Sequence, residues 1–184
     1  MVEAALVLPV MILIVIGILE FGLLFTTYST TTASTRSGAR LGATSYAQAG
    51  MVPSAQTAAA DQIAAATAAD LKVLNNGVPV GMAIYRVDPS STDGAPIGGY
   101  PTTNMTGGCT TSCIKYRWNA ATDSFVYASG SWTNPDACLP APVDSIGVYV
   151  QTEHDYITGF FGQKRKVEGH TVMRLEPLPT DQCG

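Results

Sequence analysis

The hydrophobic pattern divides the chain into an apolar start, a small-residue middle and an alternating C-terminal part. Residues 4–25 are apolar except for Glu20, and residues 4–19 carry no charged or hydrogen-bonding side chain. As a helix, such a segment is about 33 Å long, which is enough to cross the hydrocarbon core of a bilayer. We therefore predict a membrane-spanning or filament-core helix over residues 1–25.

This helix is predicted to continue into a helical stalk over residues 26–76. Residues 26–48 are rich in Thr, Ser and Ala and contain no Pro. Residues 51–76 predict a second helix with Ser54 as its N-cap and an Asn-Gly stop at residues 76–77. Its apolar face is mostly alanine, so we expect it to pack closely on the first helix or under a sheet.

Beyond Gly81 the pattern alternates, which indicates β-strands. The runs rich in β-branched and aromatic residues are separated by turn residues and cover 82–87, 114–118, 124–128, 145–153 and 166–176. Between the last two runs, residues 154–162 predict one short helix that closes at Gly162. Residues 77–184 are thus expected to form a small antiparallel sheet on the helical stem, which is an α+β fold.

Two carboxylates lie in or beside the apolar run, and a charge there is costly unless it is paired or reaches water. Glu3 sits in the first turn, where the helix dipole favours an anion, and Glu20 lies near the far boundary, next to Phe21. We expect Glu20 to reach water at the interface and Glu3 to have a second use. The predicted kink and the predicted points of close approach in this helix are Pro9, Gly17 and Gly22.

Composition and motifs argue against a nucleic-acid-binding protein and against an enzyme. Ten basic and fourteen acidic residues give a net charge of −4, whereas nucleic-acid binding needs clustered Lys and Arg. The sequence has no G-x-S-x-G, phosphate loop or His-Glu-x-x-His motif. The titratable cluster of Glu153, His154, Asp155 and His170 would be split between the two faces of a strand. We therefore expect no nucleic-acid partner, no catalytic residue, no bound metal and no cofactor.

The cysteines Cys109, Cys113, Cys138 and Cys183 all lie outside the apolar helix. Their even number beyond a membrane segment favours two disulfides over a zinc site, because paired C-x₂-C spacing is absent. Of the three possible pairings, the positions around the central hairpin favour Cys113 with Cys138, and then Cys109 with Cys183. A redox pair of Cys109 and Cys113 is the less favoured alternative.

Three motifs stand out in the N-terminal part: V-E-A-A-L-V-L-P at residues 2–9, E-F-G at residues 20–22 and R-S-G-A-R at residues 36–40. Together they resemble the TadE-like family of pseudopilins from tight-adherence (Tad) pilus systems. Shorter pieces at residues 109–118, 147–150, 158–161 and 173–177 are similar to the C-terminal regions of actinobacterial members.

The resemblance implies a pilin or minor pilin that serves adhesion or pilus biogenesis. It implies insertion in the cytoplasmic membrane before assembly, contact with a prepilin peptidase and the Tad assembly machinery, and then a place in a pilus at the cell surface. The subunit would form a homo-oligomer or co-assemble with other pilins. The residues implied in assembly are Glu3, Pro9, Gly17, Glu20, Phe21, Gly22, Arg36 and Arg40.

In such systems an acidic residue, usually the fifth of the mature chain, lies beside the amino terminus of a neighbouring subunit. Glu3 is the candidate, although it is third when counted from Met1. We expect either a mature chain that begins two residues upstream or a start at Met1 without the leader. A cleaved secretory signal is not expected, because the apolar run is too long and no basic residue precedes Arg36.

The alternative is a monomeric single-span surface protein whose loop over residues 88–112, rich in Pro, Gly, Ser and Thr, binds a host or substrate surface. The aromatic residues outside the apolar helix that could either pack in a core or contact a partner are Tyr100, Trp118, Tyr127 and Trp132, with core packing favoured.

Overall fold

The structure is a computed structural model that describes residues 2–48, 53–179 and 183. A long helix is followed by a shorter one and then by an antiparallel sheet. The elements are α1 Val2–Gln48, α2 Pro53–Leu71, β1 Gly77–Arg86, β2 Cys113–Asn119, β3 Ser124–Ser131, β4 Ser145–Asp155 and β5 Lys164–Arg174. The predicted α+β class, a long apolar helix that carries a small antiparallel sheet, is confirmed.

The five strands form one antiparallel sheet in the order β3-β2-β1-β4-β5. Each predicted strand run overlaps one of these strands, and the largest difference is β1, which begins at Gly77 rather than at residue 82. β1 lies at the centre between β2 and β4, and its Ala83 pairs with Lys115 on one side and with Tyr149 on the other.

Both faces of the sheet are covered. The helices pack on one face, where the buried side chains include Tyr46, Ile63, Leu71, Met82, Ile84, Tyr116, Trp132, Ile146, Val148 and Val150. The loop over residues 88–112 covers the other face with a smaller core made of Ala83, Tyr85, Met105, Cys109, Cys113 and Tyr149. The helical face therefore holds most of the large apolar side chains that stabilise the fold.

The predicted short helix over residues 154–162 is wrong. β4 runs to Asp155, which pairs with Lys164 at the start of β5, so the connection is a hairpin loop. Gly159 and Gly162 have φ of 71° and 111°, values that suit a turn in a loop and not an α-helix. We refer to residues 156–163 as the β4–β5 tip.

The second helix is shorter than predicted. It begins with Pro53, so Ser54 lies inside it and is not its N-cap, and the preceding residues 51–52 lie outside the described part of the chain. Proline suits this first position because its missing N–H would be unpaired there anyway. The helix ends at Leu71, whose carbonyl accepts a hydrogen bond from the N–H of Leu74 (3.1 Å). α1 runs from Val2 to Gln48 without a break at residue 25.

The structure contains two disulfides, Cys109–Cys113 and Cys138–Cys183. The pairing that the sequence favoured is wrong. Cys138 forms a parallel bridge with Leu178, which brings the C-terminal tail next to it. Cys109 lies near the end of the covering loop, four residues before Cys113, which is the first residue of β2. The disulfides therefore hold the tail and the loop separately.

Candidate functional site

The N-terminal part of α1 has almost no contact with the rest of the chain. Over residues 6–19, which we call the bare segment, nearly every side chain is exposed, for example Leu6 by 72%, Leu13 by 60% and Ile18 by 67%. In the described residues, α1 is the one helix that is long and apolar enough to cross a membrane. A helix that is hydrophobic on all sides belongs in a bilayer or in a bundle of helices.

The rest of the described helix, residues 20–47, lies along the sheet, and we call it the covered segment. Thr27 hydrogen-bonds to Nδ1 of His154 on β4 (2.9 Å), and the hydroxyl of Thr31 to that of Thr152 on the same strand (3.0 Å). Along α1 the residue numbers rise while those of the contacting residues on β4 fall, so the helix runs antiparallel to β4. Thr35 completes the series by hydrogen-bonding to Thr171 of β5 (2.8 Å).

This threonine ladder, Thr27, Thr31 and Thr35, depends on a match between helix and strand spacing. Four helical residues rise about 6 Å, and two strand residues span roughly 6.6 Å, so side chains at i and i+4 meet alternate residues of β4. Thr31 also donates to the carbonyl of Thr27 (2.8 Å). The hydroxyl of Thr152 in turn lies 3.4 Å from the carbonyl oxygen of Val167 on β5.

His154 is fully buried beneath the covered segment. Its Nδ1 is held by Thr27, and its ring packs edge-on against Tyr156 with centroids 5.2 Å apart. Nε2 has no hydrogen-bond partner among the described residues. The contacts of this residue are those of a structural side chain that fixes α1 to the end of β4.

Glycines let the covered segment approach the sheet and α2 closely. A Cβ on Gly42 would lie 2.7 Å from Cδ1 of Ile146 on β4 and 3.2 Å from Cδ1 of Ile63 on α2. A Cβ on Gly38 would likewise overlap the hydroxyl oxygen of Thr67 on α2. The small residues of the covered segment therefore have a packing role.

Glu20 is the largest difference from the sequence-based expectation. It was expected to reach water, but it is only 2% exposed. Its carboxylate accepts hydrogen bonds from the N–H of Ile157 (3.2 Å), and from the N–H and hydroxyl of Thr158 (2.6 and 2.7 Å). The β4–β5 tip thus folds down onto α1, and Glu20 holds it at the junction of the bare and covered segments.

The other predicted assembly residues lie along the same helix. Phe21 is 54% exposed, and its ring centroid lies 5.1 Å from that of Phe161 in the β4–β5 tip. A Cβ on Gly17 would lie 4.0 Å from that same phenyl ring, whereas one on Gly22 would have no neighbour within 4 Å. α1 continues through Pro9. Glu3 belongs to the first turn of α1, but its side chain lies outside the described part of the structure.

Arg36 and Arg40 project from the covered segment into solvent. They are one helical turn apart, and neither forms an ion pair with a described residue. The face of the helix that carries them lies opposite the face that packs on the sheet. These two cations are therefore available to another molecule.

The titratable cluster does not converge. Glu153 and Asp155 both lie near Nζ of Lys164, at 3.0 and 3.7 Å, while His154 points into the helical face. The hydrogen bond that Lys164 donates to Glu153 raises the pKa of Lys164. Among the described residues, no group of three His, Cys, Asp or Glu side chains is placed to hold a metal ion.

The loop over residues 88–112 lies against the sheet. Tyr100 stacks on Tyr149 with ring centroids 5.2 Å apart and meets Tyr85 edge-on at 6.0 Å. Burial raises the pKa of both Tyr85 and Tyr149. The aromatic residues expected in the core are divided: Trp132 is buried, Tyr100 and Trp118 are half-buried, and Tyr127 is 56% exposed.

These features define a class of protein in which one membrane-length helix extends beyond its apolar part and packs against a small, disulfide-bonded antiparallel sheet of the same chain. Within this class, residues 1–40 match the family model described as TadE-like protein. The match covers the bare segment, Glu20 and both exposed arginines. The TadE-like resemblance is thereby confirmed over residues 1–40, which include the apolar part of α1. Comparison with curated proteins and with solved structures found no match.

Proposed function

We propose that the chain is a pilin or minor pilin of a Tad-type pilus and that it polymerises through the bare segment. The observation that supports this proposal most directly is the exposure of the bare segment within a region that matches the TadE-like family. In the membrane, lipid surrounds these side chains. Once the subunit leaves the membrane, only neighbouring apolar helices offer an equivalent environment, because the sheet of the same chain covers residues further along.

The covered segment gives this polymerisation a fixed geometry. Because the threonine ladder and Glu20 attach the sheet to one side of α1, the bare segments of neighbouring subunits meet while their sheets lie on the outside. Arg36 and Arg40 face away from the sheet of their own subunit. In the proposed filament they contact the carboxylates of an adjacent subunit, whose net charge of −4 favours such a contact.

The same proposal gives the order in which the subunit meets its partners during assembly. The subunit first resides in the cytoplasmic membrane and meets a prepilin peptidase, then the Tad assembly machinery, and finally sister subunits or other pilins in a filament at the cell surface. Adhesion or pilus biogenesis is the function that this location serves.

Replacement of Glu3 by Ala tests the proposal. In a bundle, a carboxylate near the start of α1 pairs with the amino terminus of a neighbour, where the low dielectric strengthens the attraction. We expect E3A to retain a folded ectodomain but to be depleted from sheared filaments, as measured by electron microscopy and immunoblotting. Asp70→Ala, which removes a carboxylate from α2, is the matched control.

Normal filaments in E3A would contradict the proposed role of Glu3. A purified chain that remains a detergent-soluble monomer, and that is absent from pili when expressed with the Tad machinery, would favour the alternative of a single-span surface protein.

A further inference from the structure

The β4–β5 tip exposes large apolar side chains beside the bare segment. Ile157 is 67% exposed, Phe160 74% and Phe161 46%. Together with Leu8, Pro9, Ile12, Leu13 and Ile16, the two phenylalanines line a groove of about 450 Å³. The tip therefore reaches down past Glu20 and continues the apolar surface of the helix.

The position of the tip along α1 fixes its depth if the helix spans a bilayer. A hydrocarbon core of about 30 Å that begins near Ala4 ends near Leu24 at 1.5 Å per residue. Gly17, which faces the ring of Phe161, is then about 10 Å inside this boundary. A tip attached at this level cannot remain in water while α1 crosses the membrane.

Burial in hydrocarbon requires that the polar groups of the tip have partners within the protein. The N–H groups of Ile157 and Thr158 donate to Glu20, and the N–H of Tyr156 donates to the carbonyl of Gln163 (3.1 Å). In return, the carboxylate of Glu20 receives three hydrogen bonds, which lower the cost of removing it from water. Glu20 thus supplies the acceptor for two N–H groups of the tip, and the hairpin itself supplies acceptors for those of Tyr156 and Gly162.

The residues just above the tip have the composition of a membrane–water boundary. Phe25 and Tyr28 of α1 are 69% and 53% exposed, and they line a second groove together with Arg165 and Lys166 of β5. Aromatic rings and basic side chains are enriched at this level, where rings meet headgroups and cations meet lipid phosphates. The apolar tip and the basic residues that follow it in sequence therefore match the order of the acyl chains and the lipid headgroups.

We propose that the β4–β5 tip inserts into the outer half of the phospholipid bilayer beside α1, so that the unassembled subunit has a second contact with the acyl chains. Ile157, Phe160 and Phe161 are the inserted side chains, and Glu20 holds them at this depth. The inference rests on the membrane-spanning state of α1 in the proposed function. It adds that the ectodomain lies on the membrane instead of standing clear of it.

Tryptophan quenching by lipids with brominated acyl chains tests this proposal. The full chain carrying Phe160→Trp is reconstituted at low density in vesicles of phosphatidylcholine and phosphatidylglycerol. The emission of the parent chain, from Trp118 and Trp132, is subtracted. Ile14→Trp reports on the bare segment, and Tyr127→Trp, at an exposed aromatic position on β3, reports on the ectodomain. We expect F160W to lose a fraction of its emission comparable with I14W, while Y127W loses none.

Each other outcome has a distinct meaning. Quenching of I14W without quenching of F160W would overturn insertion of the tip and leave membrane anchoring intact. Absence of quenching in both would overturn both proposals. A tip that is protected from bromine at every protein density, and that cross-links to a second copy of the chain, would show that a neighbouring subunit occupies the groove, which also overturns the proposal.

Discussion

The two segments of α1 belong to one unbroken helix but have opposite surroundings. The bare segment consists mostly of Leu, Ile, Val and Met side chains that project on all sides, whereas the covered segment offers Thr, Ser, Ala and Gly to a sheet that approaches closely. The difference shows that side-chain size along a single helix decides which medium surrounds it. Large apolar groups suit lipid or other helices, and small hydroxylated residues suit a strand of the same chain.

The most disruptive test of this comparison places the same large side chain in each segment. Gly42→Leu forces a side chain between Ile146 and Ile63, and we expect a loss of about 3 kcal/mol in the free energy of unfolding. Gly17→Leu, in the bare segment, where a Cβ has only the ring of Phe161 near it at 4.0 Å, should lower it by less than about 0.5 kcal/mol. Urea unfolding in detergent, followed through the emission of the buried Trp132, measures both. Equal losses in the two variants would contradict the division of the helix.

A smaller effect is expected at the junction of the two segments. Glu20→Ala leaves the N–H groups of Ile157 and Thr158 without their acceptor, which should lower the local stability of the β4–β5 tip by about 2 kcal/mol. Hydrogen exchange of these two amides is the measurement. Glu20→Gln, which keeps one carbonyl acceptor, should lose roughly half as much. Unchanged exchange in E20A would show that the tip holds its place without Glu20.

The smallest effect separates hydrogen bonding from packing within the threonine ladder. Thr31→Val and Thr152→Val each remove the hydroxyl–hydroxyl bond between α1 and β4, and each should cost about 1 kcal/mol. The double variant removes both hydroxyls and should cost less than the sum, with a coupling of about 1 kcal/mol in a double-mutant cycle of unfolding free energies. Thr26→Val, which alters an exposed hydroxyl bonded to the carbonyl of Gly22, is the control. Strict additivity of the two ladder variants would mean that the hydroxyls act independently.

The helices and strands were largely predictable because the hydrophobic period of each one lies within its own stretch of sequence. Residues 145–153 alternate as a strand must and lie within β4, and the apolar run falls within α1. The predicted helix over residues 154–162 failed because a short aromatic segment with two glycines has no decisive period. Only the pairing of Asp155 with Lys164 establishes a hairpin there.

The site was less predictable because its contacts join distant parts of the chain. The partners of Glu20 lie at Ile157 and Thr158, and no local pattern indicates them. The same holds for Cys138 and Cys183, which meet only because residue 138 bridges to Leu178. The threonine ladder did leave a signal. Threonines at i, i+4 and i+8 mark one side of a helix, and Thr152 and His154 share one side of a strand.

The continuity of α1 also has a mechanical consequence. Its 47 residues form a rod of about 70 Å that joins the ectodomain to the membrane or the filament core. The contacts between this rod and the sheet are arranged side by side along its axis, from Glu20 to Gly42. A pull on the ectodomain along that axis loads these contacts in shear, all at once, so the subunit resists tension without relying on any single contact.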